Sequence, residues 1–113
     1  MTRVAVISTV RAPLQELRMF TNYHLNIGIN KIILFFDDPL DTGIDLFSQY
    51  KHVNTVACTA EYWSRKAGNK PVAIEARQVV NVNEGVRIAL REKCDWIVHI
   101  DSDELISPST KIR

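Results

Sequence analysis

Three carboxylates in four positions, Asp101, Asp103 and Glu104, follow directly on the apolar run 96–100, with Ser102 between the two aspartates. Carboxylates this close repel one another unless a cation or protons neutralise them. A hard divalent ion held by one or two carboxylates completes its shell with phosphate oxygens and water, so the pattern suits a metal site that receives a diphosphate. Asp101 and Asp103 are the candidate metal ligands, and Ser102 offers a hydroxyl or its backbone N–H. An ion held there would act as a Lewis acid on charge developing at a departing diphosphate. The competing reading is a solvated turn, or the start of a helix whose N-terminus favours acids. A three-acid pattern is short enough to arise often by chance.

Other residues carry weaker signals. Asp37 and Asp38 end the apolar run 32–36 and precede Pro39, a pattern that fits a nucleotide contact or ordinary turn chemistry. Arg77 is a candidate near a diphosphate, against the commoner role of a basic side chain that covers apolar surface. Arg65, Lys66 and Lys70 could steer a phosphorylated ligand, although an exposed charged loop is the commoner explanation. Asn81 and Asn83 could hydrogen-bond a ligand or cap a neighbouring loop. Gly85, on the same stretch, costs helix stability unless helix and sheet approach closely there. His24, His52 and His99 are scattered and read as structural or surface residues. Neither GxGxxG nor GxxxxGK(S/T) occurs, which counts against a dinucleotide dehydrogenase and a P-loop NTPase and leaves phosphate chemistry to a metal.

The elements that must position these residues follow from periodicity. Residues 4–7 form a short β-branched strand, and Pro13 suits the first turn of a helix over 13–27, with Leu14, Leu17, Phe20 and Tyr23 at helical spacing. Gly28 stands where a left-handed C-terminal cap is wanted. The run 32–36 is apolar on both faces, the pattern of a strand buried between helices in a parallel sheet. A short helix carrying Leu46, Phe47 and Tyr50 follows an Asp41 or Thr42 cap, and 53–57 reads as a third strand. Residues 58–70 show no clear period and read as a long loop. Pro71 begins the longest helix, whose apolar positions Val72, Ala76, Val79, Val80, Val86, Ala89 and Leu90 share one face as far as about Lys93. Residues 96–100 form a fourth buried strand, with the acids at its carboxyl end, the edge where open α/β sheets bind ligands. The expected fold is a three-layer α/β/α, Rossmann-like unit over 1–113 with a mainly parallel four-stranded sheet.

Composition narrows the function classes. With 46% hydrophobic and 24% charged residues the chain is an ordinary globular sequence. A net charge of +1 gives no broad footprint for nucleic acid or an anionic membrane, so any anion site is local. Cys58 and Cys94 lack a metal-binding spacing and read as packed thiols, which fits a reducing cytoplasm. The apolar runs are too short for a transmembrane segment, and no signal peptide is legible. A parent protein peripheral to a membrane would carry that information in other residues.

The stretch Asp95-Trp96-Ile97-Val98-His99-Ile100-Asp101-Ser102-Asp103-Glu104-Leu105-Ile106 resembles the "D-W-hydrophobic-D-x-D-E-hydrophobic" segment of the glycosyltransferase family 2-like proteins of GT-A fold. Residues 77–85 are similar to that family's "basic residue, then N-x-G" stretch. Residues 23–32 resemble its "Y-H-x-x-x-G" joint between helix one and strand two, and Asp37 falls at its acidic strand-two end. The resemblance covers nearly the whole chain but only the first, nucleotide-binding half of a family domain.

The resemblance implies a donor site in which Thr9, Val10 and Arg11 line the nucleotide and Asp37 meets the base or ribose. Asp101 and Asp103 hold Mg²⁺ or Mn²⁺ beside the diphosphate, with Ser102 in the middle of the DxD pattern. The expected function is transfer of a sugar from a nucleoside diphosphate sugar to an acceptor hydroxyl of a glycan, lipid or protein. The general base is expected beyond residue 113, and the fragment itself is expected to bind donor without completing transfer. Two alternatives stay open: a non-catalytic nucleotide-binding or interaction module of the same fold, and a metal-dependent nucleotidyltransferase or phosphohydrolase. Residues 107–113 offer no obvious closing cap, and an uncovered sheet edge would favour a homodimer in isolation.

Overall fold

Ala5, Val6, Ile7 and the five residues 32–36 are fully buried although successive side chains on a strand point to opposite faces, so helices must cover both sides of the sheet they form. The computed structural model describes residues 2–107 and bears this out. Along the chain run β1 (Val4–Val10), α1 (Leu14–Asn26), β2 (Lys31–Phe36), α2 (Gly43–Ser48), β3 (Val53–Ala57), α3 (Ala60–Ala67), α4 (Ile74–Arg91) and β4 (Trp96–His99). The strands make one sheet of order β3-β2-β1-β4 in which every pairing is parallel.

The two faces sort by parity. Ala5, Ile7, Ile33 and Phe35 pack with Tyr62, Trp63, Ile88 and Ala89 of α3 and α4. Val6, Ile32, Leu34 and Phe36 pack with Leu17 and Phe20 of α1 and Phe47 of α2. Each fully buried Phe, Leu or Ile contributes about 1.5–3 kcal/mol, so burial on both faces is what holds the three layers together. The Rossmann-like α/β reading therefore stands, with a sheet that is parallel throughout.

Three expectations need correction. Residues 58–70 are not an open loop, because they contain α3. The Thr59 hydroxyl accepts the Tyr62 N–H at its start, Gly68 closes its end at φ 86°, and the adjacent aromatics Tyr62 and Trp63 are buried. Only two neighbouring anchors in eight residues left no period to read; the caps were the legible signal. On α4 the buried face is Asn81, Gly85, Ile88 and Ala89, whereas Val79 and Leu90 are 61% and 63% exposed and Val72 precedes the helix. A polar residue and a glycine occupy the seam, so an apolar count misplaces the face. Finally, β4 is an edge strand rather than a buried one, with Trp96 50% exposed.

Two helix ends aim the chain back into the sheet. At the end of α1, Ile29 N–H bonds His24 C=O and Gly28 N–H bonds Leu25 C=O, with Gly28 at φ 99°, a Schellman arrangement with glycine in the left-handed position. The end of α4 repeats it with Lys93 at φ 61°.

Candidate functional site

The chain builds β1, β2 and β3 outward on one side, then returns through α4 to lay β4 on the other side of β1. The connection from β1 to β2 and the crossover from β3 into β4 thus run to opposite sides of β1. In open α/β sheets the crevice beyond the carboxyl ends of two such strands is where ligands bind. Ile7 lies opposite His99, so Thr9 and Asp101 each fall two residues beyond that pair, on neighbouring strands at the same edge. The residues named for the donor and metal site gather along this edge, in two groups.

The first group surrounds Asp37. Its carboxylate, 2% exposed, faces Arg77 Nη1 at 3.3 Å and Arg11 Nη1 at 3.5 Å, and its backbone N–H bonds the Val10 carbonyl. Each nitrogen of the Arg77 guanidinium has a partner, since Nε donates to the Pro71 carbonyl at 2.7 Å and Nη2 to that of Val72 at 3.3 Å. Arg77 therefore ties the lead-in of α4 to the end of β2. Arg11, whose side chain is 71% exposed, keeps most of its donors toward solvent. Within this trio two guanidiniums face one carboxylate, an excess of one positive charge that can meet an anion. Val10 is 1% exposed in the core and its carbonyl already accepts the Asp37 N–H, so it supports the edge from behind and presents no surface to a ligand.

Behind this group lies a buried polar chain. Asn81, with no exposure, donates from Nδ2 to Thr9 Oγ1 at 2.9 Å and accepts at Oδ1 from Tyr62 OH at 2.7 Å and Cys58 Sγ at 3.9 Å. Burial, reinforced by the negative Asp37, pushes the Cys58 thiol up to about 12, and burial likewise raises the Tyr62 phenol. Both stay protonated and act as donors.

The second group is the acidic turn after β4. Glu104 N–H bonds the Asp101 carbonyl at 3.0 Å, and the Glu104 carboxylate accepts the Asp101 N–H at 2.8 Å, closing the turn on itself. Asp101 Oδ1 accepts a long bond from Gln78 at 3.5 Å. The Ser102 hydroxyl donates to Glu16 on α1 at 2.7 Å, leaving its backbone N–H for any ligand. Asp101 and Asp103 are exposed and, among the described residues, unpaired with any cation. Among those residues no group of three or more His, Cys, Asp or Glu side chains forms a ready-made metal cage. A cavity of about 430 Å³ opens between the turn and the first half of α1, lined by Pro13, Glu16, Met19, Phe20, Ser102 and Asp103.

The turn is tied down by contacts that sequence reasoning missed. Past it, Ile106 returns to α1, where its N–H meets His24 Nε2 at 3.2 Å and its carbonyl accepts from Tyr23 OH at 2.5 Å. His24 Nδ1 lies 2.7 Å from the Phe20 carbonyl. A carbonyl only accepts, so Nδ1 carries the proton and Nε2 is the acceptor, which makes His24 a neutral imidazole of fixed tautomer. Burial lowers its pKa accordingly. The reading of His24 as structural holds, and His52 and His99 are exposed. Of the basic trio, Lys66 pairs with Glu84 at 2.9 Å and Arg65 with Glu61 at 3.8 Å, so neither points at the crevice. Among the described residues no helix is long and apolar enough to cross a membrane.

Against known proteins the chain shows a distant glycosyltransferase-like relationship. It is 25% identical over 124 aligned positions to one glycosyltransferase-like protein of Arabidopsis thaliana and 23% identical to another, each alignment covering 95% of this chain. The chain spans about a quarter of the length of these curated relatives, 28% and 24% respectively. No family model matches it, and no solved structure matches it significantly.

Proposed function

We propose that this chain carries the donor-binding part of a GT-A-like glycosyltransferase, which moves a sugar from a nucleoside diphosphate sugar to an acceptor hydroxyl. The observation that carries the reading is the β1/β4 switch point, whose carboxyl-end edge carries both the Arg11–Asp37–Arg77 group and, among the described residues, carboxylates unpaired with any cation. In this reading Thr9 and Arg11 line the nucleotide with Val10 buried behind them, and Asp37 meets the base or ribose while Arg77 fixes its carboxylate. Asp101 and Asp103 hold Mg²⁺ or Mn²⁺, and the Ser102 N–H faces the diphosphate.

The donor chemistry fits such an ion. Two exposed hard-oxygen ligands suffice for an ion that takes the rest of its shell from phosphates and water. When bound, the ion would neutralise charge gathering on the departing diphosphate. The chain's own contribution is to hold the two carboxylates on a turn fixed by Glu104, Glu16 and His24, so that little ordering remains on binding.

Calorimetric titration of UDP and GDP in Mn²⁺ and in chelator, on the native chain and on Asp103→Ala, tests the reading. Metal-dependent binding lost in the variant is the expected result. Absence of binding to the native chain overturns it, and binding indifferent to metal and variant moves the chain to the non-catalytic nucleotide-binding class. Release of free phosphate or pyrophosphate from the nucleotide would instead favour a phosphohydrolase or nucleotidyltransferase.

A further inference from the structure

Thr9 is half-buried at the carboxyl end of β1, and its oxygen is approached from behind by an amide that no solvent reaches. We propose that Asn81 is a positioning residue that commits the Thr9 hydroxyl to donating its proton into the crevice, toward an acceptor oxygen of the bound nucleotide. The proposal rests on the donor-site reading above and deepens it.

The argument is one of hydrogen-bond inventory. A hydroxyl has one proton and two lone pairs. An isolated Thr9 hydroxyl beside Asn81 could donate to the amide oxygen or accept from the amide nitrogen, and only the second choice leaves its proton free for a ligand. What decides is the far side of Asn81. Tyr62 OH at 2.7 Å and Cys58 Sγ at 3.9 Å both meet the same amide edge. Tyr62 is 4% exposed and its hydroxyl has no other partner among the described contacts, so its proton goes to Asn81; that edge is the carbonyl oxygen, which has a second lone pair for the weakly donating thiol. The NH₂ edge then faces Thr9. With one lone pair engaged by the Asn81 NH₂ at 2.9 Å, the hydroxyl proton has no acceptor on that side and is left for the open edge shared with Arg11 and Asp101.

This gives α3 a function. Tyr62 touches no crevice residue in these contacts, yet it fixes which way Asn81 faces and thereby which way Thr9 donates. A buried network in which every member has a partner also carries less freedom than one exposed hydroxyl, so the donor is oriented before the ligand arrives.

The test is affinity for UDP and GDP in Mn²⁺, by calorimetry, across a small set of variants, with thermal midpoints recorded alongside. Thr9→Val removes the donor and is expected to weaken binding about tenfold, while Thr9→Ser, which keeps it, stays within about threefold. Asn81→Asp keeps the shape but replaces the NH₂ edge by an acceptor, so the Thr9 proton is drawn inward and affinity falls by about the same tenfold. In the Thr9→Val background Asn81→Asp adds no further loss, a non-additivity that a merely structural role would not produce. Tyr62→Phe, which preserves packing and frees the amide to flip, is expected to cost about threefold and supplies the result should the Asn81 variant not fold.

A native chain that binds neither nucleotide overturns the donor-site reading and this proposal with it. A native chain that binds, with Tyr62→Phe unimpaired, or with Asn81 and Thr9 losses that simply add, overturns the proposal alone.

Discussion

At the scale of single residues, the two arginines beside Asp37 look alike in sequence and differ in what they do. Arg77 is 19% exposed and satisfies two backbone carbonyls as well as the carboxylate, whereas Arg11 is 71% exposed and makes one contact at 3.5 Å. Losing Arg77 strips the nearer counter-charge from a buried aspartate and leaves two carbonyls to find other partners, at a cost of about 2–3 kcal/mol. Losing Arg11 removes an exposed pair worth under about 0.5 kcal/mol. Urea unfolding of Arg77→Ala and Arg11→Ala should therefore separate them clearly in stability, while nucleotide titration should show loss of affinity in Arg11→Ala. Equal stabilities would mean that Arg77 is not the strut described. Asp37, Asp101 and Asp103 were legible because carboxylates at strand ends are conspicuous. Arg77's true partners were not, since nothing in a sequence says which carbonyls a guanidinium will reach.

At the scale of elements, legibility depended on how many residues carried the pattern. β1 and β2 were readable because nearly every position is apolar, and α1 because four apolar residues keep its period and Gly28 ends it. α3 failed because two adjacent aromatics define no period. The buried face of α4 failed because Asn81 and Gly85, which an apolar count passes over, occupy the seam, although Gly85 itself announced a close approach. A Cβ at Gly85 would lie 2.5 Å from Ile7 Cδ1 and 2.9 Å from its Cγ1, so the helix sits directly on β1. Gly85→Ala gains up to about 1 kcal/mol of helix propensity but overpacks the seam, at about 1–3 kcal/mol. A net loss is expected because Ile7, fully buried in the central sheet, has nowhere to retreat. Trimming the partner in Gly85→Ala/Ile7→Val should restore part of it, read as a coupling between the two substitutions in chemical denaturation; strict additivity would mean the clash is absorbed elsewhere.

At the scale of the whole molecule, the crevice exists only because two ends of the described chain are brought together, β1 near its start and the acidic turn near its finish. The sheet aligns them, and a neutral imidazole holds the second in place. His24 uses Nε2 as the acceptor for the Ile106 N–H, so a proton there would set two donors face to face. Burial lowers the His24 pKa below its ordinary 6.5. In the unfolded chain the imidazole takes up its proton as pH falls through 6.5, while the folded chain resists, so protons favour unfolding. The contribution is thus fully present above 6.5 and is lost as pH falls through the lower folded value. Glu84 works in a separate, more acidic window. Burial tends to raise it, but Lys66 and Arg87 outweigh that and hold it below 4.5, so its contribution is lost only as pH falls beneath that range. Denaturant midpoints between pH 8 and 5 should decline below 6.5 in the native chain and stay flatter in His24→Gln, which cannot titrate. Equal slopes would remove His24 from the account. If the slopes differ, nucleotide affinity should weaken over the same interval, because releasing Ile106 loosens the turn that carries Asp101 and Asp103.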